Sequence, residues 1–318
     1  MNEEPNYSSS VRASHRILTV GIVALLATSA LVYLGIIRDQ VPSPSTQDLS
    51  PTLVDARGVA MVLVPDGPFT MGVDPDAAIA ECEQLGASPC DREDFADAAP
   101  PHLVTLGAFY IDTYEVTNEQ YAKCVAAGTC APPSDTKSYT RDSYYGDPQF
   151  ADYPVILVNW FDAQTHCEWR GARLPTEAEW EKAARGSEGR LYPWGNSFLP
   201  GRANLCDRNC GFPWADRGQD DGHADTAPVG TYPDGESPYG AHDLAGNVWE
   251  WVADRYGSDY YLLSPPVNPQ GPSEEAFRVA RGGAWFSPAI AIAAPYRLAN
   301  VPTARYHLVG GFRCALPA

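Results

Sequence analysis

The chain has 318 residues, of which 40 are acidic and 22 basic, and its formal net charge is −18. A chain this acidic offers no basic stripe to meet phosphates, which excludes a nucleic-acid-binding protein. Its 27 glycines and 29 prolines predict many turns and loops, while eight tryptophans are ample for a packed core.

The first predicted element is a membrane-spanning helix over residues 17–37. This segment has no charged residue, and at about 1.5 Å per residue it crosses the hydrocarbon core. Two arginines precede it, whereas the arginine that follows is next to an aspartate, so the positive side is the N-terminal one. This pattern predicts a single-pass protein with residues 1–16 in the cytoplasm and its domain outside, in the periplasm or at the cell surface. A signal peptide cleaved near residues 28–30 is the alternative.

Residues 38–57 are rich in proline and serine, which predicts an extended linker, and a domain follows over residues 58–318. Its first segment, "VAMVLVPDGPFTMG", predicts two short strands around a Pro/Gly turn. The acidic residues 77–99 are predicted to form a loop held by Cys82 and Cys90. The segment "HLVTLGAFYIDTYEVT" alternates and is rich in β-branched and aromatic residues, so it is predicted to be a strand.

Three short helices are predicted next. In "TNEQYAKCVAAG", Thr117 and Gln120 have the spacing of a capping box, and Thr176 and Glu179 repeat it in "PTEAEWEKAARG". A third helix lies in "WFDAQTHCEWRGARL". Beyond residue 186 we expect only short elements among Gly, Pro and Trp, which makes the domain an α+β type with little regular structure.

All eight cysteines follow the predicted membrane helix. An even number in an oxidising compartment predicts disulfides, although spacing alone leaves the connectivity open. Cys124 with Cys130, and Cys206 with Cys210, are close enough for local bridges. A zinc site is less favoured, because no second close pair accompanies Cys206 and Cys210.

Five motifs carry a family resemblance. They are "RLPTEAEWEKAARG" (173–186), "YPWGN" (192–196), "GNVWEW" (246–251), "RGGAW" (281–285) and "GFRCA" (311–315). In this order they resemble the formylglycine-generating enzymes, also called sulfatase-modifying factors. The resemblance implies an irregular α+β fold similar to C-type lectin domains, and a disulfide between Cys167 and Cys314.

The enzymes of this family oxidise a cysteine of a client sulfatase to formylglycine, using copper and molecular oxygen. They hold copper(I), which prefers thiolates, with two cysteines shortly after "RGG". The matching positions here are Ser287 and Ile292, so we expect no copper and no oxidase activity. The resemblance places the old substrate groove near Trp285, Ser287, Tyr296 and Arg297. Other branches bind iron through three histidines, and the six histidines here show no such pairing, which leaves iron open.

The resemblance further implies two calcium sites made of the oxygen ligands that hard cations prefer. The first comprises Asn204, Leu205, Asp221 and His223, and the second Asp243, Gly246, Val248 and Glu250. Among these, Leu205, His223, Gly246 and Val248 would offer only backbone carbonyls. The alternative is that the acidic residues merely cap turns.

Two functions are consistent with this sequence. A membrane-held scaffold without the copper cysteines is expected to bind a protein or peptide, or to be an accessory subunit of an envelope complex. The alternative is a metal-dependent oxidoreductase of altered chemistry in extracytoplasmic maturation of a cofactor, siderophore or protein. The retained glycines, Trp285 and Arg297 favour that alternative.

Overall fold

The computed structural model describes residues 49–85, 90–305 and 310–318. The predicted cytoplasmic segment, the membrane helix over 17–37 and the linker as far as residue 48 lie outside these ranges. In the part of the chain that the structure describes, no helix has the length and apolar character to cross a membrane.

The described residues contain ten strands. They are β1 (Thr52–Val54), β2 (Ala60–Val64), β3 (Gly67–Met71), β4 (His102–Leu106), β5 (Phe109–Asp112), β6 (Glu250–Arg255), β7 (Arg278–Arg281), β8 (Arg297–Asn300), β9 (Gly311–Phe312) and β10 (Ala315–Pro317). One sheet has the antiparallel order β1-β2-β5-β10, and β3 pairs with β4. The third sheet has the order β8-β7-β6-β9, with β9 parallel to β6.

Five α-helices lie between these strands in the described residues. They are α1 (Pro75–Gln84), α2 (Asn118–Ala126), α3 (Trp160–Trp169), α4 (Glu177–Arg185) and α5 (Tyr260–Leu263). Short 3₁₀ helices cover Arg92–Ala98, Pro148–Phe150, Pro233–Gly235 and Ala289–Ile292. The capping boxes predicted from Thr117 and Thr176 are present, and both satisfy backbone donors at a helix N-terminus.

The prediction of a loop over residues 77–99 is wrong. Helix α1 begins with Pro75, and the Asp74 side chain caps it by accepting from the Asp76 N–H. Proline at the first helical position and aspartate before it are helix-start signals, so acidity alone misled the prediction. The disulfide Cys82–Cys90 joins this helix to the chain that enters the following 3₁₀ helix.

Two further boundaries differ from the prediction. The segment expected as one strand forms β4 and β5, which belong to different sheets and are separated by Gly107 and Ala108. Residues 49–57, expected in the linker, are part of the domain. Strand β1 pairs with β2, and the Asp55 carboxylate accepts hydrogen bonds from buried Arg170 at 2.8 and 2.9 Å.

Four disulfides pair all eight cysteines. They are Cys82–Cys90, Cys124–Cys130, Cys167–Cys314 and Cys206–Cys210. The third agrees with the bridge that the resemblance implies and spans 147 residues of sequence. It ties α3 to the segment between β9 and β10, and so fixes the last strands against the centre of the domain.

Candidate functional site

The segment from Arg281 to Arg297 crosses the domain through a tight turn. Gly282 and Gly283 have φ values of 93° and 74°, a region that glycine adopts without strain. A Cβ on Gly283 would lie 2.6 Å from Cγ2 of Ile292. The glycine is therefore required because the chain returns directly over it.

The two positions that the resemblance assigns to copper ligands have structural contacts here. The Oγ of Ser287 accepts a hydrogen bond from the Ala284 N–H at 3.0 Å, and its carbonyl accepts from the Cys206 N–H at 2.9 Å. Ile292 is fully buried in the main core and packs against Gly283. Ser287 thus holds a turn, and Ile292 fills the core.

A groove with a cavity volume of about 340 Å³ lies beside this turn. Its lining is mostly apolar and consists of Trp214, Trp249, Phe286, Ser287, Pro288, Ala291, Tyr296 and Leu298. Trp214 is 50% exposed, and its Nε1 donates to the Phe286 carbonyl at 2.7 Å. Phe212 stacks on Trp214 with ring centroids 4.8 Å apart. The groove therefore has a fixed, half-exposed indole at its rim.

Trp285 lies behind this groove. It is 2% exposed and packs against the Cys206–Cys210 bridge, Phe286 and the half-exposed Tyr139. It supports the aromatic rim from within and offers no open stacking face.

Arg297 also lies apart from the groove, in a buried ion-pair network. Its guanidinium donates to both carboxylate oxygens of Glu177, at 2.7 and 3.0 Å, and to the Asp97 carbonyl at 2.7 Å. Arg281 donates to the same Glu177 at 2.8 Å and to Glu181. Burial alone would raise the pKa of Glu181, but Arg281 and Arg185 lower it to about 2. This network holds α4 against the third sheet.

A second cavity, of about 390 Å³, adjoins Tyr296 and is acidic. Glu93, Asp94, Asp97 and Asp259 line it together with Arg297. No ion pair in the described part of the chain involves Glu93, Asp94 or Asp259. The neighbouring Arg92 pairs with Asp76, and Arg297 pairs with Asp97. Burial and neighbouring carboxylates raise the pKa of Asp94. Tyr296 therefore separates an apolar groove from an anionic cavity.

The first set of implied calcium ligands comes together in the structure. The Asn204 Oδ1 is buried without a hydrogen-bond partner, while its Nδ2 donates to the Asp225 carbonyl at 3.0 Å. Asp221 accepts from the Leu205 and His223 N–H groups at 2.9 Å each. Burial, with the nearby Asp207 carboxylate, raises the pKa of Asp221 to about 7. An orphaned amide oxygen beside uncompensated carboxylates fits a hard cation.

The second set fits only in part. Asp243 adopts φ 58°, and its carboxylate accepts from the Gly230 N–H at 2.7 Å. Burial, with Glu250 nearby, raises the pKa of Asp243 to about 6. The Glu250 carboxylate, however, is held by Arg313 through two hydrogen bonds of 2.7 Å, so its charge is already compensated. Burial, Asp243 and Glu250 raise the pKa of Glu115 well above its ordinary value, which adds an uncompensated carboxylate here.

Comparison with known proteins decides the family. The description "Sulfatase-modifying factor enzyme 1-like domain" matches residues 46–318. The chain belongs to the sulfatase-modifying factor family. The resemblance of the five motifs is thereby confirmed, as is the irregular mixture of helices and short strands.

Relatives in this family have different named activities. The chain is 35% identical to the formylglycine-generating enzyme of Streptomyces coelicolor, covering 80% of this chain and 88% of that one. It is 30% identical to the inactive C-alpha-formylglycine-generating enzyme 2 of Bos taurus, covering 83% and 90%. It is 38% identical over 69% of its length to the serine/threonine-protein kinase pkn1 of Chlamydia pneumoniae, but spans only 34% of that protein.

Solved structures show the same family fold. PvdO from Pseudomonas aeruginosa superposes with a TM-score of 0.65 at 26% identity, covering 85% of this chain and all of that one. Treponema denticola variable protein 1 gives a TM-score of 0.63 at 22% identity, which shows the fold alone.

Sequence reasoning missed three residues of this sulfatase-modifying factor domain. Trp214 forms the groove rim, while Glu115 and Asp207 add carboxylates to the two cation regions. For Trp214, an isolated tryptophan in a Gly/Pro-rich loop was a usable signal. No signal in the sequence pointed to Glu115, because its hydrogen-bond partner Asn247 is 132 residues away.

Proposed function

We propose that this chain is a membrane-anchored, extracytoplasmic binding module of the sulfatase-modifying factor family that does not generate formylglycine. One observation carries the proposal: the groove offers no thiolate. Every cysteine is in a disulfide, the Ser287 hydroxyl is engaged in a turn, and Ile292 is buried in the core. Copper(I) requires soft ligands, and neither a hydroxyl nor an alkyl group supplies one.

The partner is an extended peptide segment with an apolar residue next to a basic one. The groove fits an apolar or aromatic side chain, and the half-exposed Trp214 provides an indole of the kind that dominates binding interfaces. The acidic cavity on the other side of Tyr296 fits a lysine or arginine. The volume of the groove and the charge of the cavity thus both support a peptide with an apolar residue next to a basic one.

Peptide binding tests this proposal. Fluorescent peptides with an apolar residue followed by lysine should bind the full chain in detergent, and those with glutamate in that place should bind at least about tenfold more weakly. Trp214→Ala should weaken binding about tenfold or more. Phe161→Ala is the matched control, because Phe161 is also 50% exposed but lies on α3. Equal binding by Trp214→Ala and Phe161→Ala would overturn the groove as the binding site.

The proposed lack of formylglycine-generating activity is tested separately. The purified chain is incubated with copper, oxygen and a peptide that carries the cysteine of a sulfatase motif, with an active formylglycine-generating enzyme as positive control. We expect no formylglycine by mass spectrometry. Product above the no-protein background would show that Ser287 and Ile292 do not mark the loss of this chemistry.

An enzyme of altered chemistry is the second candidate. The 35% identity to the Streptomyces coelicolor enzyme favours it. Metal analysis of the purified chain separates the two proposals: calcium alone supports the binding module, whereas stoichiometric copper or iron supports a metal-dependent oxidoreductase.

The membrane topology is part of the proposal. The charge-free residues 17–37 serve as the anchor, and four disulfides support an oxidising compartment for the domain. Protease added to spheroplasts, from which any outer membrane has been removed, should digest the domain and leave a short anchored fragment. A domain protected until the spheroplasts are lysed would contradict the topology.

Calcium is the proposed cofactor. Asn204 and Asp221 would hold one ion, with carbonyls of Leu205 and His223, and Asp243 would contribute to the other, with carbonyls of Gly246 and Val248. The ions would neutralise buried carboxylates and join loops that have no regular ladder of hydrogen bonds.

A further inference from the structure

Cys124, Cys130 and His166 place three metal-binding atoms together in the interior. One ligand atom from each lies within 4.8 Å of the others, and all three residues are buried. Within residues 49–85, 90–305 and 310–318, this is the one group of three or more His, Cys, Asp or Glu ligands so closely spaced. It has no residue in common with the groove or with the implied calcium sites.

The side chain of His166 makes no hydrogen bond in the structure. Both ring nitrogens are buried without a partner, which is rare for polar atoms in a protein interior. The ring is held by aromatic packing, with Tyr121 stacked at 5.4 Å and Phe312 edge-on at 5.3 Å. Its orientation is therefore fixed while its nitrogens stay available to a ligand.

A cavity reaches His166, although neither Cys124 nor Cys130 is part of its lining. This cavity of about 610 Å³ has His166 on its wall, together with Gln120 and Lys123 of α2 and Trp169 of α3. The cavity is large enough to admit a hydrated ion as far as this residue.

We propose that Cys124, Cys130 and His166 form a binding site for a soft d¹⁰ metal ion that opens when the Cys124–Cys130 disulfide is reduced. A thiol reductant supplies the electrons: two R–SH become R–S–S–R, and the protein S–S bond becomes two thiols. The metal then displaces two thiol protons and forms two metal–sulfur bonds and one metal–nitrogen bond.

The ligand set selects the metal. Two thiolates and an imidazole suit copper(I) in three-coordination, and zinc(II) when a water from the cavity completes a tetrahedron. For a tetrahedral ion the sulfurs must separate to roughly 3.7 Å. Cys130 lies beyond the C-terminus of α2, in the turn that follows, so it can move while Cys124 stays on the helix.

Cobalt(II) is the probe for the first test. The full chain is reduced anaerobically with a phosphine, freed of it, and titrated with cobalt(II). We expect one ion per chain with a thiolate-to-cobalt charge-transfer band, and no band from the oxidised protein. Displacement by zinc(II) or by copper(I) then shows which of the two ions the site prefers.

Matched variants separate this site from the other reduced bridges. Cys124→Ser with Cys130→Ser should abolish the band, and Cys82→Ser with Cys90→Ser should leave it. His166→Asn should shift the band and weaken binding by more than the roughly tenfold that loss of an outer partner costs. An unchanged affinity in His166→Asn would overturn the proposal.

Alkylation of the wild-type chain keeps the proposal testable if the serine variants misfold. Zinc(II) should protect Cys124 and Cys130 of the reduced protein from alkylation, as mapped by mass spectrometry. Protection at other cysteines, or spread over all eight, would contradict the assigned site.

Discussion

Two regions of this domain bury carboxylates in opposite ways. Next to the third sheet, Glu177 lies between two arginines, and its nearest one, Arg297, donates at 2.7 Å. In the loops between residues 204 and 248, Asp207, Asp221 and Asp243 have no arginine or lysine at ion-pair distance in the described structure. The charge of Glu177 is thus compensated by arginines, whereas the charges of Asp207, Asp221 and Asp243 are left open.

The pKa values show the consequence. Arginines lower the pKa of Glu181 to about 2 despite its burial, whereas burial raises the pKa of Asp221 to about 7 and of Asp243 to about 6. The charge of Glu181 is therefore balanced by the protein itself. Asp221 and Asp243 need a proton or an added cation, which is the physical basis for proposing calcium there.

Breaking the compensated region should have the largest effect. Glu177→Ala leaves the Arg281 and Arg297 guanidiniums without a shared buried carboxylate, and removing one partner of a buried pair costs about 3–5 kcal/mol. Urea unfolding of the purified domain measures this loss. A cost below about 1 kcal/mol would mean that the network does not stabilise the fold.

The uncompensated region should respond to pH in the opposite sense to an ordinary ion pair. A carboxylate whose folded-state pKa is raised contributes stability below its unfolded pKa and loses it as the pH rises through the folded value. Without calcium, Asp243→Asn should therefore stabilise the domain by up to about 3 kcal/mol at pH 8 and have little effect near pH 4. Comparing variant and wild type at each pH removes the opposite contribution of buried His166. A variant that is destabilised equally at both pH values would contradict this reading of Asp243.

Calcium should stabilise the region of Asp221 and Asp243, and so distinguish it further from the region of Glu177. An ion that binds only the folded state stabilises it by about 2.7 kcal/mol at one hundred times its dissociation constant. Thermal unfolding with calcium and with chelator should show this gain, and Asp221→Asn should remove most of the first site's share. Asp142→Asn is the control, since that side chain is fully exposed. A gain of equal size in Asp221→Asn would place the ion elsewhere.

The smallest effect is expected from an ion pair near the surface. Arg173 is paired with Glu179 at 2.6 Å, but its side chain is 41% exposed, so Arg173→Ala should cost no more than about 1 kcal/mol. Unfolding in low and high salt checks it, because screening should reduce this small cost. A loss of stability as large as that of Glu177→Ala would mean that buried and partly exposed ion pairs contribute equally to the stability of this domain.

The features that the sequence predicted are mainly local ones. The capping boxes at Thr117 and Thr176 depend on residues three positions apart, so spacing reveals them. Helix α1 carried an equally local signal in Asp74 and Pro75, which the acidic composition obscured. The glycines of "RGGAW" belong to a local motif, and the closeness of Gly283 to Ile292 explains why a glycine is needed there.

Features that depend on distant residues were not predictable from spacing. The position of Arg297 behind α4, and not in the groove, follows from Glu177, 120 residues earlier in the chain. The compensation of Glu250 by Arg313 likewise joins residues 63 apart and changes which carboxylates remain for a cation. The sequence shows which residues are charged, but the tertiary fold decides which partner each charged side chain has.

The place of β9 and β10 in the sheets has a consequence for biogenesis. Residues 311–317 supply an edge strand to both four-stranded sheets, and Cys314 between them closes the bridge to α3. Neither sheet can be completed while this segment is still inside the ribosome. The domain therefore acquires its complete sheets and its longest disulfide only after residues 311–317 have been synthesised and are free to pair.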